Sequence, residues 1–311
     1  MKGKIARKLW DKLWEDYSTR VSYAQTYQQM IAQAGGTVAN DHIAFRSLRL
    51  VIDSPEGKKN LGIEYVGGIA EALGYSAAGE YTFADQKLYA RHYQHPEQDR
   101  LDLPKLFVSE LIVEELPEAI ATLIHQTVSS DCRGNGLLDV QTVKSWIDHV
   151  AADSEVEPIV GQLQGVFTRP WLPPQRSVVE AVNSVTQYGA WVLLHGYSVN
   201  HFTGYINRQN TPQYPDIEST ARGLASLGVP MKAEIEGSLG VGLRQTATHA
   251  VTEMVTTIDD TSGEVVRIPW TYAYYEIAER HPVEVAPEKW ELFAAFLGRN
   301  AQNLFEMTRK A

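Results

Sequence analysis

The spacing of hydrophobic positions changes along this chain, and each change marks a boundary. From residue 5 to about 34, Leu9, Leu13 and Tyr17 together with Trp10, Trp14 and Val21 recur at helical spacings, and Gly35-Gly36 supplies a stop. This predicts an N-terminal helix or helix pair, with the tryptophans as packing anchors. The period then shortens to two in Asn40-Asp41-His42-Ile43-Ala44-Phe45-Arg46. As a strand, this stretch puts His42, Ala44 and Arg46 on one face and Ile43, Phe45 and Ser47 on the other. A turn at Asp53-Ser54-Pro55-Glu56-Gly57 follows, then a helix from Gly62 to Leu73 ended by Gly74. Aromatic and β-branched runs at 81–83, 87–93 and 105–113 read as three strands.

From Leu116 to about Tyr188 the pattern is helical again, at 117–128, 140–150 and 177–188, with a Pro-rich link at Pro170-Trp171-Leu172-Pro173-Pro174. Strand character resumes at 196–203, followed by a helix at about 214–227. Then β material runs through 234–240, 241–258 and 264–278, with a hairpin signal at Asp259-Asp260-Thr261-Ser262-Gly263. The order strand, helix, strands has recurred. Trp290, Phe293, Phe296, Leu297, Ala301, Leu304 and Phe305 lie at roughly helical spacings and predict a closing helix over 287–307, bent near Gly298. The expected organisation is one α+β domain over 1–311. It comprises a helical segment (1–36), a first βαβββ module (37–115), a helical insertion (116–190), a second βαβββ module (191–282) and a C-terminal helix (283–311).

Composition narrows the function. The chain has 311 residues, 44% hydrophobic and 21% charged, with a net charge of −10 spread along its length. Without a basic cluster, nucleic-acid binding is not expected. No run approaches the roughly 18 apolar residues of a membrane span, and the basic N-terminus leads into an amphipathic pattern, not a signal-peptide core. The single cysteine, Cys132, reads as a loop thiol and fits a reducing compartment, so a cytoplasmic protein is expected, with any metal held by His and carboxylate. The Gly-rich run 237–242 does not open a helix after a strand and is not read as a phosphate cradle.

The two β-rich segments share chemistry as well as order. Each begins with a polar residue and a His, Asp41-His42 and Asn200-His201, and each ends with a Glu in a later strand, Glu110 and Glu276. A duplication of this length places two copies of one module around a shared cleft. On its strand face Glu276 has Tyr272, Tyr274 and Ala278 for company, and an ionised carboxylate buried there is costly unless a cation or metal meets it. Two His and one carboxylate form the facial triad suited to non-haem Fe(II). The competing arrangement pairs Glu276 and Glu110 with Arg280 or Lys105 and leaves His201 to a backbone hydrogen bond. The other histidines, His92, His95, His125, His149, His195, His249 and His281, lack a repeat partner and read as structural or surface residues.

Five blocks carry a resemblance: 40–46, Phe107-Val108-Ser109-Glu110-Leu111, 197–203, Gly242-Leu243-Arg244-Gln245-Thr246 and Tyr275-Glu276-Ile277-Ala278-Glu279-Arg280. In these the chain resembles the iron-dependent 2-oxoadipate dioxygenase/decarboxylases. The resemblance implies a vicinal oxygen chelate-like fold, with paired βαβββ modules forming a curved sheet around a metal. It implies Fe(II) as cofactor, with Zn or Ni as other divalent occupants, held by His42, His201 and Glu276. Glu110 would be a ligand only in a four-ligand glyoxalase-type site and is otherwise a candidate for supporting the centre. Arg46 matches the substrate-selecting arginine, placed against a carboxylate of the oxo acid, and a guanidinium suits bidentate carboxylate binding. Arg244 is a second carboxylate-clamp candidate, or else part of a structural ion pair. The partners implied are a 2-oxo acid and O2, with 2-oxoadipate converted to 2-hydroxyglutarate and CO2. Better-known bacterial members are longer, chiefly at the C-terminal side, which leaves the substrate open. Two other readings stand beside this one: a redox-silent glyoxalase-like metal lyase or isomerase using Glu110, and a non-catalytic metal or small-molecule binding protein.

Overall fold

The computed structural model describes residues 1–54, 57–129 and 137–298. Helices α1 (Lys2–Arg20) and α2 (Ser22–Gln33) come first. The first module follows: β1 (Asn40–Arg49), a small hairpin of β2 (Val51–Ser54) and β3 (Gly57–Asn60), α3 (Ile63–Ala72), β4 (Ser76–Phe83), β5 (Leu88–Gln94), α4 (Gln98–Leu101) and β6 (Lys105–Ile112). A helical stretch then holds α5 (Glu118–Ser129), α6 (Val140–His149), α7 (Val156–Gln164), α8 (Arg176–Val185) and α9 (Gln187–His195). The second module is β7 (Val199–Tyr205), α10 (Ile217–Ser226), β8 (Glu236–Ser238), β9 (Leu243–Ala247), a hairpin of β10 (Thr252–Ile258) and β11 (Val265–Thr271), and β12 (Glu276–Arg280). A last hairpin, β13 (Pro282–Ala286) and β14 (Lys289–Leu292), closes the described chain.

Eight strands form one curled sheet in the order β4-β5-β6-β1-β7-β12-β9-β8. The order is symmetric about its centre. Each module's first strand, β1 or β7, lies parallel to that module's last strand, β6 or β12, and the two first strands pair antiparallel with each other. The fold is therefore α+β with paired βαβββ modules, and the junction between them falls between His42 and His201.

The N-terminal tryptophans pack on the sheet, as their spacing predicted. Trp10 meets Phe45 and donates to the Tyr75 hydroxyl at 2.9 Å, and Trp14 meets Phe202 and Tyr275 edge-on. Three helices were not legible, α4, α7 and α9. Every residue of α9 is buried, so its sequence Gln-Tyr-Gly-Ala-Trp-Val-Leu-Leu-His has no polar stripe to betray helical period. The β10–β11 hairpin forms where Asp259-Gly263 signalled a turn, but it makes its own two-stranded sheet.

The closing helix expected from 287 is absent over 287–298. Val283 and Val285 flank Glu284 at the two-residue strand period, Glu288 takes the left-handed conformation at the turn (φ 62°), and β13 and β14 pair antiparallel. The aromatic spacing that suggested a helix instead serves a hairpin and an irregular segment. The remainder of that expected helix, the centre of the 53–57 turn and Cys132 lie outside the described residues. Among the described residues, no helix is long and apolar enough to cross a membrane.

Candidate metal centre

Strict alternation would point Asp41 and His42 to opposite faces of β1. The β1–β7 ladder prevents this. Asn40 pairs with Gly204 but His42 with Thr203, so Asp41 is an extra residue; Ala44 pairs with His201 but Phe45 with Val199, so Asn200 is another. Both are β-bulges, which re-aim side chains. Each bulged residue turns to its own histidine: Asp41 Oδ2 lies 2.9 Å from His42 Nδ1, and Asn200 Oδ1 lies 3.0 Å from His201 Nδ1. With Nδ1 engaged, each ring turns Nε2 toward the cavity, where His42 Nε2 also meets Thr203 Oγ1 at 3.1 Å.

The two Nε2 atoms are 3.4 Å apart. Glu276, first residue of β12 and paired with Thr203 of β7, brings Oε1 to 3.5 Å from His42 Nε2 and Oε2 to 3.8 Å from His201 Nε2. One donor atom from each of the three residues lies within 4.8 Å of the others. All three are buried, His42 at 3%, His201 at 7% and Glu276 at 1% exposure.

Burial lowers the pKa of His42 although Asp41 opposes it, and lowers that of His201 well below the ordinary range, helped by the neighbouring His42 ring, which disfavours a second proton, and by the Arg46 charge. Both rings are thus held in the neutral, ligating form. Burial, and next the charges of Glu236 and Asp41, push the Glu276 carboxyl well above its usual range. Its Oε1 accepts a long bond from Thr203 Oγ1 at 3.4 Å, while the buried Oε2 has no hydrogen-bond partner among the described residues. An orphaned carboxylate oxygen facing two neutral imidazole nitrogens is costly as it stands and suits a divalent cation. The donor set fits a metal.

Behind this triad sits a buried ion pair. Arg280 donates from Nε to Asp41 Oδ1 at 2.5 Å and from Nη2 to Oδ2 at 2.8 Å. Burial works against the Asp41 charge, but Arg280 and the His42 bond outweigh it and hold Asp41 well below the usual carboxylate range.

The triad opens on a cavity with walls from Phe83, Phe107, Phe296 and Leu297 and polar contributions from Ser109 and Gln245. Arg46 also lines it and is the one guanidinium or ammonium among its described lining residues. Its Cζ lies 4.8 Å from the Tyr188 ring centroid and 5.1 Å from that of Trp191, both on α9. The helical insertion therefore supplies the platform for the site's cation.

The sequence profile of the 2-oxoadipate dioxygenase/decarboxylase family matches residues 6–309. The chain belongs to this family. A rice relative, the chloroplastic/amyloplastic 2-oxoadipate dioxygenase/decarboxylase of Oryza sativa subsp. japonica, is 25% identical over 278 residues, covering 85% of this chain. The chain spans 66% of that relative's length, just under two thirds. Two solved structures share the fold. A glyoxalase superfamily protein of Ralstonia eutropha JMP134 superposes with TM-score 0.81 at 22% identity, over 96% of this chain and 87% of its own. The hydroxyglutarate synthase of Oryza sativa, in complex with 2-oxoadipate, superposes with TM-score 0.73 at 21% identity, over 99% and 93%.

Two of the residues expected at the site of this family member lie elsewhere. Glu110 accepts from Arg49 Nε at 2.6 Å and from the Ile63 backbone N–H at 2.8 Å, at the start of α3. The register explains why. Glu276 pairs with Thr203, two residues after His201; two residues after His42 is Ala44, which pairs with Phe107. Phe107 is thus the first-module counterpart of Glu276, and Glu110 was misplaced by three residues. Arg244 pairs across β9–β12 with Glu279, on the face opposite Glu276, and ion-pairs with Glu218 and, at 3.4 Å, with Glu279. The next residue, Gln245, faces the cavity.

Sequence reasoning also missed Arg280 as the partner of Asp41, having set it against Glu276. A usable signal existed: residue 280 shares the strand face of 276, at the spacing that separates Arg46 from His42. Phe107 and Phe296 carried no such signal, because an aromatic on a strand or in an apolar run reads as core.

Proposed function

We propose that this chain is a non-haem Fe(II)-dependent dioxygenase/decarboxylase of a 2-oxo acid, with 2-oxoadipate as first candidate. The observation that carries the reading is the convergence of two oriented Nε2 atoms on the Glu276 carboxyl group, whose Oε2 has no hydrogen-bond partner among the described residues, in a cavity that Arg46 also lines. His42, His201 and Glu276 would hold the metal, which when bound supplies chelation of the oxo acid and the redox chemistry toward O2. One 2-oxoadipate and one O2 give one 2-hydroxyglutarate and one CO2, in which carbon, hydrogen and oxygen balance.

The protein's own part is binding and orientation. Arg46, fixed over Tyr188 and Trp191, is poised to take a substrate carboxylate bidentately. The phenyl walls exclude water, which strengthens every charge contact inside. Phe107 at the place of a second carboxylate favours a three-ligand site with open positions over a four-ligand glyoxalase-type one. The substrate carried by the rice synthase supports the choice of first candidate.

The test is O2 uptake by the Fe(II)-loaded protein across 2-oxoadipate, its shorter and longer homologues, and aromatic 2-oxo acids. Uptake matched by CO2 is expected, strongest with a dicarboxylic 2-oxo acid. Arg46→Ala should lower kcat/KM for that acid about a hundredfold, as expected for losing a charge-assisted pair. Turnover of a 2-oxo acid with no O2 consumed would overturn the reading in favour of a lyase or isomerase.

A further inference from the structure

Residues 293–298 follow β14 without joining any sheet and bring Phe296 and Leu297 into the cavity wall, and their backbone is met by side chains from three strands. Arg280 of β12 donates from Nη1 to Phe293 O at 2.9 Å and to Ala295 O at 2.8 Å. Gln94 of β5 donates to Ala294 O at 3.3 Å, and the Phe296 N–H donates to the Tyr81 hydroxyl of β4 at 3.0 Å. Strands β4 and β5 belong to the first module and β12 to the second, so the segment straps the two halves of the site together. Irregular backbone held at this many points is specified, not incidental.

What the strap delivers is Phe296. Its ring centroid lies 4.7 Å from that of His42, edge-on at 88°, and 5.0 Å from that of Phe107. The Arg280 guanidinium that holds the strap with Nη1 uses Nε and Nη2 for Asp41, and Asp41 Oδ2 in turn holds His42 Nδ1. One planar fork therefore serves the cavity's cover and the orientation of a proposed ligand. An ammonium, a compact charge without a fork, cannot span both.

We propose that Arg280 is a positioning residue that couples closure of the metal cavity by the 293–298 strap to the orientation of His42. The proposal rests on the metal reading above. Lifting Phe296 to widen the cavity breaks the two carbonyl bonds to Arg280 and frees the guanidinium, and with it Asp41, to shift; closure restores both. His201 is the internal control, because Asn200 holds it and neither residue has a bond to the strap.

The experiment uses the full chain loaded with Co(II), with two readouts: the rate at which excess EDTA removes the metal, and solvent exchange of the Co(II)-shifted Nδ1–H resonances of His42 and His201. The double variant Tyr81→Phe/Gln94→Ala removes the strap's two hydrogen bonds to β4 and β5 of the first module, leaves its ring contacts in place and alters neither histidine. It should speed metal removal about tenfold, in line with the loss of two modest hydrogen bonds, and speed exchange at His42 while leaving His201 as in the wild type. Arg280→Lys should move both readouts in the same direction and further. Exchange unchanged at both histidines, or accelerated equally at both, would overturn the coupling; metal removal at the wild-type rate would overturn closure by the strap. Where Arg280→Lys does not fold, the double variant decides alone. A wild-type chain that takes up no Co(II) would instead overturn the ligand assignment itself.

Discussion

A carboxylate at position 41 does two jobs, and both have measurable consequences. It neutralises Arg280 in the interior and it fixes which nitrogen of His42 faces the cavity. Removing one partner of a buried ion pair leaves the other charge uncompensated, so Asp41→Asn should destabilise the fold by about 3–5 kcal/mol in chemical denaturation. A loss under about 1 kcal/mol would mean that water reaches the pair. His92 offers a second residue-level check. It is buried beside Phe296, with Tyr81 Oη 2.9 Å from its Nδ1, and burial lowers its pKa to about 4. Because the folded value lies below the unfolded one near 6.5, its contribution to stability is fully present above that pH and is lost as pH falls toward about 4. His92→Gln should therefore flatten the decline of Tm between those pH values, whereas an identical decline would assign it to other groups. The echo of Asp41-His42 in Asn200-His201 was visible in the sequence. Its meaning was not, since adjacent strand residues share a face only where a bulge intervenes.

At the level of elements, strand register decided more than strand identity. The spacing of hydrophobic residues located β1, β5, β6 and β7, yet a shift of a few residues separates Phe107 from Glu110 as the counterpart of Glu276. Register depends on partner strands far away in sequence, so no local pattern carries it. The assignment is testable: Phe107→Glu places a second carboxylate on the same face as the triad. In the metal-free state that variant should be less stable than wild type. Its Zn(II) affinity should rise by about tenfold or more, as for one added charged ligand, at the expense of O2 uptake, measured by competition titration and oxygen electrode. Unchanged Zn(II) affinity would show that residue 107 does not reach the triad. Helix α9 escaped notice for a related reason, since complete burial removes the polar face by which helices are recognised, although it carries the Tyr188 and Trp191 platform under Arg46.

For the molecule as a whole, the triad draws its members from β1 of one module and from β7 and β12 of the other. A ligand bound there stabilises both halves together. At a free divalent metal concentration a hundred times Kd, the wild-type fold should gain about 2.7 kcal/mol, seen as a rise in Tm that a chelator reverses. His42→Ala and His201→Ala should each abolish most of that rise while keeping the metal-free Tm near wild type. A full metal-dependent rise in both variants would place the metal elsewhere.

The sequence by itself determined the periodicities, hence most strands and helices, the duplicated order, and the chemical types at 42, 46, 201 and 276. All of these are local properties, set by side-chain alternation and residue identity. Only the tertiary structure decided which residues meet: the bulges that turn Asp41 and Asn200 onto their histidines, the register that gives Phe107 and not Glu110 to the cavity, the face that removes Arg244 from it, and the Arg280 fork that joins Asp41 to the strap. Those contacts span tens to hundreds of residues, and they form only because the two modules pair along β1 and β7 and bring distant chain segments into one dry space.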